Sequence, residues 1–158
     1  VCALQWKEID LEKRVLTVSK TIQRVQCRTG SKQTKLIITE PKSESSKRTI
    51  PIPDCLLPLL RRFKDNGEVY VVSGRKKPVE PRTMQYRFAK ILHNADLPSF
   101  HYHSLRHLFA TRCVELGFDV KTLSEILGHS SVEVTLNRYI HSDMERKRTC
   151  MSLLSKCA

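Results

Sequence analysis

The chain has 158 residues, 40% of them hydrophobic and 28% charged, which is enough for one domain with a buried core and too apolar for a disordered chain. Lysine and arginine number 28 against 16 aspartate and glutamate, a formal charge of +12 with a pI near 9.7, a surplus that suits a polyanionic partner. No apolar run approaches the roughly 20 residues of a membrane span, and no signal-peptide pattern opens the chain. Six cysteines stand at 2, 27, 55, 113, 150 and 157 with no C-x-x-C pair. They read as free thiols in a reducing cytoplasm, not as a disulfide framework or a zinc ribbon.

In chain order, residues 1–6 (VCALQW) read as the last turns of a helix. Residues 9–11 enter a β region, 15–18 are rich in β-formers, and 21–25 and 35–39 read as strands around a polar turn with Gly30 and Ser31. Residues 48–52 (RTIPI) read as a further strand, and the prolines at 51 and, just past it, 53 place it at an edge or a strand end. These segments predict a small antiparallel sheet. The polar stretch 40–48 (EPKSESSKR) is a turn, carrying Lys42, Lys47 and Arg48.

A helix is predicted over 54–66, capped by Asp54 and stopped by Asn66-Gly67. Its apolar side holds Leu56, Leu57, Leu59, Leu60 and Phe63. Residues 69–72 (VYVV) read as a short strand with Tyr70 in the core. The turn 73–77 (SGRKK) is basic and offers Arg75 and Lys76 to a phosphate backbone, although most such turns are only solvated. A second helix over 81–95 opens on Pro81. Tyr86, Phe88, Ile91 and Leu92 form its core side, and Arg82, Arg87 and Lys90 are candidate phosphate contacts.

The stretch 103–141, HSLRHLFATRCVELGFDVKTLSEILGHSSVEVTLNRYIH, organises the rest. His103, Arg106 and His107 stand at i, i+3 and i+4, one face of a helix, while Leu105, Leu108, Phe109, Ala110, Val114 and Leu116 can bury its other side. Two histidines and an arginine with no acid between them suit a phosphate, whose oxygen pairs match a guanidinium fork. A solvated polar face is the plainer alternative. Zinc is another, since His at i, i+4 can share a metal, but no Glu stands between them as in HExxH. A helix follows over 120–127, with Asp119 as N-cap and Gly128 as stop. His129 then sits where one helix ends and the next, 132–139, begins, and Tyr139 closes that helix. A last helix is predicted over 144–154, with Met151, Leu153 and Leu154 in need of burial.

The order His-x-x-Arg-His, Leu-Gly-His, Tyr-x-His, with the phrases LGHSS and T-x-x-x-Y-x-H, resembles the C-terminal signature of the tyrosine recombinases, the phage-type integrases. The resemblance implies an α+β fold over residues 1–158: a mainly helical catalytic domain with a small antiparallel sheet near the N-terminus. It implies site-specific recombination of double-stranded DNA, integration or excision of a mobile element, without cofactor or metal. Tyr139 would be the nucleophile, forming a 3′-phosphotyrosyl link and releasing a 5′-hydroxyl. His103, Arg106 and His129 would stabilise charge on the non-bridging oxygens. Lys42 is the best match to the family's general acid and Lys47 the runner-up. His107 and His141 are accompanying residues. Lys47, Arg48, Arg75, Lys76, Arg82 and Arg87 are DNA-binding candidates. The apolar tail after Tyr139 would pack on a neighbouring subunit, in cis or in trans, with self-association on DNA.

The first active-site arginine of the family would lie just before Val1, so the domain is expected to be truncated at its N-terminus. That leaves a second expectation open, a DNA-binding fragment of the same fold that is catalytically incomplete. An unrelated zinc or helix-turn-helix regulator would leave Tyr139 unexplained, and a eukaryotic-type topoisomerase would not explain LGHSS.

Overall fold

The computed structural model describes residues 1–26, 34–41, 43–65 and 67–139, with 144, 147–148 and 151–152 beyond them. It contains strands β1 (Ile9–Asp10), β2 (Val15–Val18), β3 (Thr21–Gln26), β4 (Thr34–Thr39) and β5 (Arg48–Pro51). The helices are α1 (Leu57–Arg62), α2 (Pro81–Asn94), α3 (Ser104–Glu115), α4 (Val120–Leu127) and α5 (Val132–Tyr139). Among the described residues no helix is long and apolar enough to cross a membrane.

The strands divide into two antiparallel sheets. One has the order β1-β2-β5, and the other is the hairpin β3-β4. Leu16 pairs with Ile50 and Val18 with Arg48 in the first, and Thr21 with Thr39 in the second. The proline-bearing β5 is indeed an edge strand, because a proline nitrogen has no proton to give a second neighbour.

Residues 1–6 are not a helix. Trp6 N–H donates to Val69 O and Val71 N–H to Leu4 O, both at 3.0 Å, and Gln5 bridges Tyr70. The segment spends its backbone groups on residues 69–71, which closes off the i→i−4 pattern. Tyr70 is core, as expected, at 8% exposure, but 69–72 supplies only a bridge and a turn, not a strand.

The helix expected over 54–66 is shorter. Asp54–Leu56 is a 3₁₀ turn, α1 stops at Arg62, and Asp54 pairs with Arg14 at 2.9 Å without bonding a helix N–H. On α2 only Leu92 is buried, while Tyr86 and Ile91 face outward. Tyr86 instead takes a 3.2 Å hydrogen bond from Arg82 Nε, and Phe88 meets Tyr102 edge to face.

The core that matters for the site is built from α3 and α4: Ala110, Cys113, Val114, Leu123 and Leu127. α3 turns its small residues inward, and Leu123 on α4 is fully buried against them. Of the six residues expected on the buried side, Ala110 and Val114 are in this core, whereas Leu105, Leu108, Phe109 and Leu116 are exposed. A face with Ala110 and Cys113 lets a neighbouring helix approach closely, which a face of leucines would prevent. The chain leaves α3 through Gly117 (φ +82): Gly117 N–H reaches Val114 O and Phe118 N–H reaches Cys113 O, the double hydrogen bond of a left-handed helix stop. The tail expected over 144–154 lies mostly outside the described residues; Met144 and Met151 within it are exposed.

Candidate active site

Asp119 caps α4 by accepting from Thr122 N–H at 2.9 Å. At the other end Gly128 is left-handed, φ +69. Its N–H donates to Ser124 O and Glu125 O, and His129 N–H donates to Ser124 O at 3.1 Å. The two remaining carbonyls of the last turn are taken by side chains from elsewhere. Arg48 Nε on β5 donates to Ile126 O at 2.7 Å, and Arg106 Nη2 on α3 donates to Leu127 O at 2.6 Å. All four carbonyls that a helix leaves open at its C-terminus are therefore occupied, two of them by guanidinium groups that also complement the negative end of the helix dipole.

This termination fixes His129. Its backbone belongs to the α4 stop, and its Nδ1 lies 2.7 Å from Thr135 Oγ1, a hydroxyl with no solvent exposure. Tyr139 is one helical turn beyond Thr135. Its ring packs against the α3–α4 core and lies nearly parallel to His129, with centroids 6.3 Å apart and planes 4° apart. Its hydroxyl is 3.0 Å from His107 Nδ1. His107 in turn meets the His103 ring edge to face at 4.8 Å. His103 is the residue at which α3 begins, and its carbonyl accepts from Arg106 N–H and His107 N–H.

The electrostatics follow from crowding of like charge. Burial pushes the pKa of His129 down, and Arg106, Arg138 and Arg48 push it further. Burial also lowers that of His107, with His103, Arg138 and Arg106 adding to it. Arg48 is lowered by burial and then by Arg106. Among the described residues none of these groups forms an ion pair with a carboxylate. The result, among the described residues, is a cationic pocket with no paired carboxylate, beside a phenol. A pocket of this kind favours an anion with several acceptor oxygens.

Four of the sequence-derived candidates thus come together: His103, Arg106, His129 and Tyr139. Lys42 lies outside the described residues, as does His141. Lys47 is ion-paired to Glu40 at 2.7 Å. It also lines, with Arg48, Lys121, His129 and Ser131, a cleft of about 300 Å³ beside the site. Arg48 does not face outward; besides Ile126 O it donates to Ser46 O at 3.0 Å. Arg75 and Arg87 line a separate groove with Lys77 and Thr83, Lys76 is exposed, and Arg82 covers the Tyr86 ring at 5.5 Å. Thr135 escaped the sequence reading, while Arg48 and His107 stood there only as a DNA-contact candidate and an accompanying residue. Arg48 and Thr135 carry no local signal, since one reaches across 78 positions and the other is a threonine on a short helix. His107 did carry one, because i, i+4 spacing puts it beside His103.

Residues 1–146 match the family model described as the phage integrase family, and the chain belongs to that family. Among curated relatives it is similar to a tyrosine recombinase XerC-like protein of Caldanaerobacter subterraneus, 32% identical over 96% of this chain and 44% of that protein. It is also similar to a prophage phiRv2 integrase of Mycobacterium tuberculosis, 31% identical over 98% and 41%. The chain therefore spans less than half the length of these relatives. Among solved structures it resembles the Tn1549 transposon integrase in complex with circular intermediate DNA, with a TM-score of 0.71, 29% identity, and coverage of 97% of this chain and 54% of that one. The XerA recombinase, at 20% identity and a TM-score of 0.64, shares the fold. The fold is thus mixed, helices with small antiparallel sheets, as in the catalytic domains of tyrosine recombinases.

Proposed function

We propose that residues 1–158 form the catalytic domain of a tyrosine recombinase that cuts and rejoins double-stranded DNA, serving integration or excision of a mobile element in the cytoplasm. The observation that carries this reading is the Tyr139 hydroxyl hydrogen-bonded to His107, which touches His103 and feels the charge of Arg106, with the Tyr139 ring parallel to that of His129. In the proposed reaction Tyr139 Oη attacks a backbone phosphorus, giving a 3′-phosphotyrosyl ester and a free 5′-hydroxyl. Charge gathers on the non-bridging oxygens, and Arg106, His103 and His129 hydrogen-bond to them as it develops. Arg106 suits that role because Leu127 O already fixes one of its nitrogens, so the guanidinium is oriented before substrate arrives. Lys42 donates a proton to the leaving oxygen. Lys47 lines the cleft beside His129, and Arg75 and Arg87 lie on a further groove; both grooves suit flanking phosphates. The similarity to an integrase solved with DNA supports duplex DNA as the partner. The exposed Met144 and Met151 support a tail that packs on a second copy once DNA is bound.

The test is a series of nicked duplexes tiled across the junctions that flank the gene, incubated with the full chain and resolved under denaturing conditions. A covalent adduct that disappears in Tyr139→Phe supports cleavage. Salt-sensitive binding with no adduct on any duplex supports a DNA-binding protein of the same fold instead.

A further inference from the structure

The function proposed above leaves open where the phenolic proton goes. A phenol titrates near 10, so at neutral pH it attacks phosphorus only if a base takes the proton as the new bond forms. Tyr139 Oη has one side-chain partner among the described residues, His107 Nδ1 at 3.0 Å. His107 is half-buried and sits one residue past Arg106 on the same turn of α3.

We propose that His107 is the general base of the cleavage step and accepts the Tyr139 proton at Nδ1. This rests on the recombinase reading. The step balances as follows. The phenolic O–H bond breaks and its hydrogen moves to Nδ1 as a proton. The Oη–P bond forms from the electron pair left on oxygen, the P–O5′ bond breaks, and the leaving oxygen takes a proton from a lysine ammonium or from water. Religation reverses the transfer, with Nδ1 returning its proton to the phenol.

The geometry supports acceptance over donation. An imidazole accepts at Nδ1 only as the neutral ring with its hydrogen on Nε2. Every charged or titratable group facing it favours that neutral ring: His103 and Arg106 from α3, Arg138 from α5, and no carboxylate among the described residues. His129 lies parallel to the Tyr139 ring, with its own Nδ1 engaged by Thr135. It is not the partner of the hydroxyl. His107 and Tyr139 are also held on separate helices that share one core, so the contact does not depend on a loop.

Two measurements test the assignment. The first needs no activity: nitrogen-detected NMR of the full chain carrying labelled histidine, with the His107 signals identified by their loss in His107→Gln. The expected result is the Nε2–H tautomer at pH 7.5, with an Nδ1 shift that moves in Tyr139→Phe. A proton on Nδ1 at that pH overturns the proposal. The second is the rate of adduct formation on a nicked duplex the wild type cleaves. His107→Ala is expected to lose about 10²- to 10⁴-fold, the usual range for general base removal, with DNA affinity retained. Replacing the tyrosines by 3-fluorotyrosine, whose phenol is more acidic, should restore part of that loss in His107→Ala and not in Arg106→Ala. A His107→Ala protein that cleaves like wild type, or a loss that fluorotyrosine leaves untouched, overturns it. A wild type that forms no adduct on any duplex overturns the recombinase reading and the reaction step with it, whereas the tautomer result belongs to His107 alone.

Discussion

Arg106 Nη2 lies 2.6 Å from the carbonyl oxygen of Leu127, so a side chain of the phosphate pocket is also the cap of the helix that delivers His129. Arg48 makes the matching contact to Ile126 from the edge of the three-stranded sheet. The two arginines close the same helix end, one from the sheet and one from α3. Sheet, α3 and α4 are thereby locked to one another at the place where His129 leaves α4.

Removing Arg106 should therefore show in two readouts. Arg106→Ala is expected to slow adduct formation by about 10²- to 10³-fold, as loss of an oxyanion donor does elsewhere. It should also lower stability, because Leu127 O is left open. Arg48→Met should lose stability by about 1.5–3 kcal/mol, the range for a hydrogen bond to a charged group. Urea denaturation of both variants, beside single-turnover cleavage, separates the structural part from the chemical part.

Gly128 is needed twice. Its φ of +69 suits glycine, and a Cβ there would stand 2.6 Å from Arg48 Nη1 and 3.0 Å from Ser45 O. Gly117 also has positive φ but open space around the same position. Gly117→Ala should cost about 1–2 kcal/mol from backbone strain. Gly128→Ala should cost about 2–4 kcal/mol, since it also displaces Arg48. Equal urea midpoints for the two variants would contradict the close approach of Arg48.

Thr135 is fully buried and its hydroxyl meets His129 Nδ1. Thr135→Val keeps the shape and removes the hydroxyl, leaving a partly buried ring nitrogen without its partner, a loss of about 1–3 kcal/mol. Cleavage should fall as well, because the ring loses the bond that orients it. The NMR tautomer of His129 should then become a mixture, which a purely structural defect elsewhere would not produce.

The pH dependence of folding has a defined sign. His107 and His129 are both held below the ordinary value of about 6.5, chiefly by burial and then by neighbouring cations. The fold prefers both rings neutral. Between 6.5 and the lowered folded values the unfolded chain binds more protons than the native one, so stability falls as pH drops through that window. Above 6.5 the full stability is present. Carboxylates with depressed pKa, such as Asp119 beside Thr122, act only at more acid pH, near about 4 and below. Urea midpoints at pH 7.5 and 5.5 should differ, and the difference should shrink in a protein carrying His107→Gln and His129→Gln.

The local elements of the site were legible in the sequence because their causes are local. Asp119, Gly128 and the apolar spacing between them define α4 within eight residues, and α5 runs over 132–139 as the pattern indicates. Strand periodicity located β1 to β5 to within a residue or two. Where the reading failed, the cause was long-range. Residues 1–6 pair with 69–71, and nothing within VCALQW announces that partner. Leu105, Leu108 and Phe109 mark an apolar stripe on α3, yet the close-packed face is the one with Ala110 and Cys113.

The sequence by itself determined which residue types are present for phosphate chemistry, their order, and the helices that carry them, because turn residues, caps and periodicity act over one or two turns of chain. Only the tertiary structure decided which of these side chains meet. Arg48 turning inward to Ile126 and the Tyr139 hydroxyl settling on His107 span 78 and 32 positions. Contacts of that reach are set by how α3, α4 and the sheet edge pack around one small core, a property no single segment contains.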